Sequence, residues 1–161
     1  NQLMLDEETT TLSALDREMI AVVVSAANRC YYCLVAHGQA VRALSGDPQL
    51  GEMMVMNYRV AELPARQRVM LDFAWKLTTT PFDIGDPDRA TLREAGFSDG
   101  DIFDITDVVA FFNYTNRMAH GLDMMPNAEC RIPRHESVTI CYNHIYILYK
   151  LYFANINAYY L

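Results

Sequence analysis

Apolar residues recur at helical spacing through most of the chain up to about residue 125. The segment 12–28 shows this most clearly, and Ser13 and Asp16 at its start have the spacing of a capping box. A buried strand is the competing prediction for "IAVVVSA", because β-branched residues favour strands. The cap and the length of the segment favour a helix. Further helices are predicted over 31–44, 49–63, 65–79, 87–96 and 99–122.

Turn and capping residues separate these segments. "SGDP" at 45–48 stops one helix, and "PFDIGDPD" at 81–88 reads as a loop. Gly96 is placed to end a helix in the left-handed conformation, and Ser98 to cap the last one. Because no segment shows the alternation typical of strands, the sequence predicts an all-α domain.

The composition changes near residue 128. The end of the chain, "SVTICYNHIYILYKLYFANINAYYL", is rich in Tyr, Ile and Asn, whose codons are AT-rich, whereas the preceding domain favours residues with GC-rich codons. Residues 128–161 are therefore predicted to be an atypical tail, frameshifted or foreign, after a domain over residues 1–127. A native apolar C-terminal helix is the alternative; His144 and Lys150 argue against a membrane span.

The length and net charge of the chain limit the number of domains and the kinds of partner that we expect. A chain of 161 residues fits one domain, and its net charge of −7 argues against nucleic acid or anionic membranes as partners. The N-terminus is acidic and polar, without the basic and apolar regions of a signal peptide. We therefore expect a cytoplasmic protein.

Candidate chemistry is concentrated in "RCYYCLVAHG" at 29–38. On a helix that starts near Cys30, Cys33 and His37 are four residues apart and share a face. The helix N-terminus stabilises a thiolate, and a neighbouring imidazole can take the thiol proton. Glu18 in the preceding helix could reach His37 if the two helices pack together.

Other interpretations of these residues stay open at this point. A Cys-x-x-Cys pair also serves structural zinc, which needs four ligands, and a second pair could come from the tail. The dithiol could instead be a structural disulfide, or belong to a redox sensor or a general disulfide reductase with little peroxidase turnover. Glu18 alone would be a surface residue, and His120 is predicted to be structural or exposed. The residues that could supply this second pair are Cys130, His135, Cys141 and His144.

The spacing of Glu18, Cys30, Cys33 and His37 resembles the signature of alkylhydroperoxidase D-like proteins in the carboxymuconolactone decarboxylase superfamily. The surrounding sequence, including "GFSDGDIFDITDVVAFFNYTNRMAHGL", is similar to the peroxidase-related branch, over about residues 1–127. The resemblance implies a helical domain of antiparallel helices completed by oligomerisation, as a trimer or hexamer. It also implies a native N-terminal helical segment ahead of residue 1.

The same resemblance implies roles for the four residues. Cys33 would be the peroxidatic thiolate that attacks a hydroperoxide, Cys30 the resolving thiol, and His37 with Glu18 the proton relay. The oxidised enzyme would need an external dithiol reductant, such as a lipoyl or thioredoxin-like protein, and no bound cofactor or metal. Tyr32 stands where the best-studied members have a relay histidine, and a phenol is a poor base at neutral pH.

Overall fold

The computed structural model describes residues 11–126, and this part of the chain is all-α, as predicted. The first ten residues and the predicted tail at 128–161 lie outside the described residues. Within residues 11–126, no helix combines the length and the apolar character needed to cross a membrane. The described helices are α1 (Ala14–Ala27), α2 (Tyr31–Ser45), α3 (Pro48–Asn57), α4 (Ala65–Thr79), α5 (Asp86–Glu94) and α6 (Asp99–Gly121).

Helix starts follow the predicted caps. Ser13 Oγ accepts the backbone N–H of Asp16, and Asp16 Oδ2 accepts the backbone N–H of Ser13, which completes the capping box of α1. Ser98 and Asp101 form the same box at the start of α6. Gly96 has a φ of +91°, as predicted for the turn after α5.

Two boundaries differ from the prediction. The helix predicted over 49–63 ends at Asn57, whose side chain accepts the backbone N–H of Arg59 and starts a 3₁₀ turn at Tyr58–Val60. The local side-chain bond competes with continuation of the helix. The loop predicted over 81–88 contains a second 3₁₀ turn, Pro81–Asp83, and its last residues form the first turn of α5.

Helix α1 lies at the centre of the domain. All residues from Ile20 to Ser25 are fully buried, so this helix is covered around its whole circumference by α2, α3, α4 and α6. A helix that is apolar on every side is a buried helix. This burial explains the β-branched run that made a strand the competing prediction.

The helix directions follow from contacts at their ends. Helices α1 and α2 are antiparallel: Cys30 follows the end of α1 closely, and His37, further along α2, contacts Glu18 near the start of α1. Helix α6 runs parallel to α1, because Thr11 bonds Asp101 at one end and Ser25 bonds Asn116 towards the other. The antiparallel arrangement thus holds for the pair that carries the candidate site.

Asp101 gives a prediction for acid stability. Burial of this carboxyl opposes its ionisation, but hydrogen bonds from Ser98 and Thr11 outweigh burial and lower the pKa of Asp101 to about 2. Its stabilising effect is therefore present above its ordinary pKa and is lost as the pH falls towards 2, by about 2 kcal/mol in free energy of unfolding. Denaturant unfolding between pH 5 and pH 2 should show this loss in the wild type and a much weaker one in Asp101→Asn. Equal pH slopes would contradict the assignment.

Candidate active site

The turn between α1 and α2 is a Schellman motif that delivers Cys30 to the start of α2. The Arg29 N–H donates to Ala26 O at 3.1 Å, and the Cys30 N–H donates to Ser25 O at 2.9 Å. Arg29 occupies the left-handed position with a φ of 56°, where glycine is the usual residue. The turn therefore ends one helix and begins the next within three residues.

The two cysteines lie in the first turn of α2. Cys30 is the N-cap residue and Cys33 follows three positions later; their sulfur atoms are joined as a disulfide, with the Cα atoms 5.3 Å apart. Their exposed fractions are only 2% and 4%. Ala119 of α6 packs on the pair, together with the partly buried Tyr32 and Met124. A few apolar side chains thus cover the two cysteines where α1, α2 and α6 meet.

The charge environment of this turn favours an anion at sulfur. Helices α1, α5 and α6 each carry Asp in the first turn, whereas the first turn of α2 has no acidic residue. The partial positive charge of the unpaired N–H groups there is therefore not offset by a local carboxylate. A partial positive charge of this kind stabilises a thiolate relative to a thiol in proteins generally.

Glu18 and His37 form a buried pair beside the dithiol. Glu18 Oε2 lies 2.7 Å from His37 Nδ1, and the two residues are 2% and 6% exposed. The edge of the His37 ring meets Phe112 of α6, with ring centroids 4.7 Å apart. A carboxylate can only accept, so in the tautomer that bonds it Nδ1 carries the hydrogen and Nε2 faces away from Glu18. Glu18 is therefore buried, and the alternative prediction that it is a surface residue is wrong.

The structure brings the four predicted residues together as two contacting pairs, Cys30 with Cys33 and Glu18 with His37. One turn of α2 links the pairs, since Cys33 and His37 are four residues apart on the same helix. The arrangement places a cysteine pair one helical turn from an imidazole, and enzymes that use a thiol nucleophile often have a base close to the cysteine.

Tyr32, at the position where the family resemblance implies a relay histidine, is partly buried beside the cysteines. Burial raises the pKa of the Tyr32 phenol above its ordinary value. The side chain is therefore even less suited to carry a proton at neutral pH than its residue type suggests.

Sequence reasoning missed an asparagine network that fixes the turn carrying Cys30. Asn28 Nδ2 donates to Asn113 Oδ1 and Asn116 Oδ1, each at 3.0 Å, and Asn116 Nδ2 donates to Ser25 Oγ at 3.2 Å. These bonds tie the end of α1 to α6. Asn113 and Asn116, three residues apart on the same helix, were the available signal.

His120, predicted to be structural or exposed, is exposed and reinforces this connection. Its Nε2–H donates to Asn28 O at 3.1 Å, since a carbonyl can only accept. His120 therefore contacts the turn beside the dithiol and neither of the two candidate pairs.

Within residues 11–126, no group of three or more His, Cys, Asp or Glu side chains lies close enough together to hold a metal ion. The four residues that could supply a second zinc-ligand pair, Cys130, His135, Cys141 and His144, lie outside the described residues.

The chain is similar to a known protein family. The model of the carboxymuconolactone decarboxylase family matches residues 3–70. A search among curated proteins gave no significant match.

Solved structures of similar proteins include peroxidase-related ones. A peroxidase-related protein from Silicibacter sp. TM1040 is 66% identical with a TM-score of 0.77, over 80% of this chain and 66% of its own. An alkylhydroperoxidase AhpD core protein from Ralstonia eutropha JMP134, also peroxidase-related, is 43% identical with a TM-score of 0.74, over 82% and 70%.

A third, from Agrobacterium tumefaciens, is a protein of unknown function and a candidate AhpD antioxidant defence protein; it is 25% identical with a TM-score of 0.62, over 73% and 81%. The chain spans slightly less than two thirds of the Silicibacter protein and more of the other two. Fold, motif and these relatives agree: the chain belongs to the alkylhydroperoxidase D-like, peroxidase-related branch of the carboxymuconolactone decarboxylase family.

Proposed function

We propose that this protein is a thiol-dependent hydroperoxide reductase. Its relatives indicate an oxidoreductase with an antioxidant function. The observation that carries the finer proposal is the buried Glu18–His37 pair, one helical turn from a dithiol at a helix N-terminus. A structural disulfide has no need of an oriented imidazole and carboxylate.

In the proposed reaction, Cys33 is the nucleophile. Its thiolate attacks the terminal oxygen of the hydroperoxide, the O–O bond breaks, and Cys33 becomes a sulfenic acid. The electron pair leaves with the alkoxide, which takes a proton from the His37 imidazolium to give an alcohol. That proton came from the Cys33 thiol, and Glu18 stabilises the imidazolium that holds it in between.

Cys30 completes the oxidative half of the cycle. Its thiol condenses with the Cys33 sulfenic acid, which forms the disulfide and releases water. An external dithiol, such as a lipoyl group or a thioredoxin-like protein, then exchanges with the disulfide and restores both thiols. The two cysteines carry all the electrons, so the proposed cycle needs no bound cofactor.

A redox sensor with little turnover is the second candidate. The raised pKa of Tyr32 favours it, because this position lacks an efficient proton carrier. A sensor would react with peroxide once and stay oxidised, whereas an enzyme turns over when a dithiol is supplied.

Peroxide consumption in the presence of dithiothreitol distinguishes the two. We expect many equivalents of an alkyl hydroperoxide to be consumed per chain, above the rate with dithiothreitol alone. Consumption that stops near one equivalent, with the dithiol oxidised, would contradict the enzyme. Stoichiometric zinc whose removal by a chelator unfolds the protein would contradict both redox functions.

We also propose that the protein forms a trimer or hexamer. Large apolar side chains are exposed on the described surface, including Phe82 at 83% and Phe103 at 68%. Contiguous exposed apolar surface is typical of subunit contacts, and these residues are the candidates for it.

A further inference from the structure

A pocket of about 280 Å³ lies between α2, α3 and α4, on a different side of α2 from the dithiol. Tyr31 and Leu34 of α2 line it, and each follows one of the two cysteines by one residue. Successive residues on a helix are rotated by about 100°. The pocket therefore opens on a neighbouring face of the same helical turn, and neither cysteine lines it.

Most of the pocket wall is aliphatic or aromatic. Leu34, Met54, Val55 and Met56 supply the aliphatic part, and the ring of Trp75 lies among them. Methionine side chains are flexible and polarisable, so such a wall adapts to an unbranched aliphatic chain. The volume is at the lower end of the range for ligand pockets, which indicates a small ligand.

Two arginines whose guanidinium groups make no ion pair or hydrogen bond within the described residues line the same pocket. Elsewhere in the described residues, arginines contact carboxylates or oxygen acceptors, as Arg42 does with Glu52 and Arg93 with Asp99. Within residues 11–126, Arg29 and Arg59 have neither an ion pair nor a side-chain hydrogen bond from their guanidinium groups. Each guanidinium retains five N–H donors suited to a carboxylate.

The position of Arg59 is set by aromatic contacts. Its guanidinium carbon lies 4.6 Å from the centroid of the Tyr58 ring and 4.7 Å from that of the Trp75 ring. Cation–π contacts hold the group by its face and leave the N–H edges available to a ligand. The pocket thus combines an apolar wall with oriented positive charge, in a chain whose net charge is −7.

We propose that this pocket binds a small amphipathic carboxylate, with its aliphatic chain against Leu34, Met54 and Met56 and its carboxylate at the guanidinium groups of Arg29 and Arg59. The site is separate from the dithiol. Binding is therefore expected in both the oxidised and the reduced protein, and does not depend on the proposed peroxidase activity.

Trp75 provides the test, because it is the only tryptophan of the chain and lines the pocket. Titration of the full chain with octanoate should change its fluorescence saturably. Octanol, the uncharged counterpart, should bind about tenfold more weakly or worse, because it lacks charge-assisted hydrogen bonds.

Substitution of the arginines separates the contributions of charge and apolar surface. Arg59→Gln and Arg29→Asn, the latter chosen because asparagine tolerates positive φ, should each raise the octanoate Kd several-fold and leave that of octanol unchanged. Arg93→Gln, on an arginine outside the pocket, is the matched control and should change neither.

Three outcomes would overturn the proposal. These are no saturable binding of octanoate, equal affinities for octanoate and octanol, or arginine variants with an unchanged octanoate Kd. If a second copy of the chain occupied the pocket, octanoate would not bind saturably, which is the first of these outcomes. In that case Met56→Lys would lower the oligomeric state in sedimentation, and the wild type would not respond to octanoate.

Discussion

Catalytic peroxide consumption is expected to disappear in Cys33→Ser, falling by more than about 10³-fold, because the substitution removes the nucleophile itself. A serine hydroxyl has no accessible anion near neutral pH and does not reduce an O–O bond. The measurement is the rate of loss of an alkyl hydroperoxide with dithiothreitol, corrected for the rate without protein.

Cys30→Ser is the matched control, since it removes the other sulfur of the same helical turn. It should still react with about one equivalent of hydroperoxide, because Cys33 is intact, and should accumulate a sulfenic acid that a dimedone-type reagent traps. Fast turnover in Cys33→Ser, or trapping at position 30 of the wild type, would reverse the proposed roles.

Glu18→Gln is expected to lower turnover by about 10²-fold or more, within the range of general acid–base effects. The amide keeps the shape of the carboxylate and still accepts the Nδ1–H of His37, but it no longer stabilises the imidazolium. The free energy of unfolding should fall by only about 1 kcal/mol, because one charged hydrogen bond becomes a neutral one.

The chain offers a matched control for this substitution. Glu52 also lies 2.7 Å from a basic partner, Arg42, but its side chain is exposed. Glu52→Gln should leave both turnover and stability close to the wild type, because exposed ion pairs contribute little. Similar turnover losses in both variants would show that the effect is not specific to the buried pair.

Local sequence rules predicted much of the fold. The caps at Ser13 and Ser98 and the glycine stop at Gly96 depend on hydrogen bonds and φ values within a few residues, so the residue types reveal them. The shared face of Cys33 and His37 likewise needs only helical geometry.

Features that depend on tertiary packing could not be predicted in this way. Burial of Glu18 and its contact with His37 require α2 to pack antiparallel on α1, so the sequence could name Glu18 only as a residue that would reach His37 if the two helices packed together. The strand-like run in α1 was ambiguous because its burial on every side comes from four other helices.

The turn before Cys30 also depends on contacts that local sequence rules do not reveal. Arg29 adopts a left-handed conformation that its residue type does not signal, and the asparagine network of Asn28, Asn113 and Asn116 holds the turn from another helix. A sequence identifies polar residues on an apolar face, but not which partners they have.

In the proposed mechanism, the start of α2 and the Glu18–His37 pair activate Cys33 as a thiolate. The thiol pKa of Cys33 in the reduced full chain measures this activation. Alkylation by iodoacetamide over a pH series, read from fragment-ion mass spectra that locate the label at Cys33, separates this thiol from Cys30 in the same peptide and from Cys130 and Cys141. Activation of Cys33 predicts a pKa at least one unit below the value of about 8.5 for free cysteine. A pKa at or above that value would contradict it.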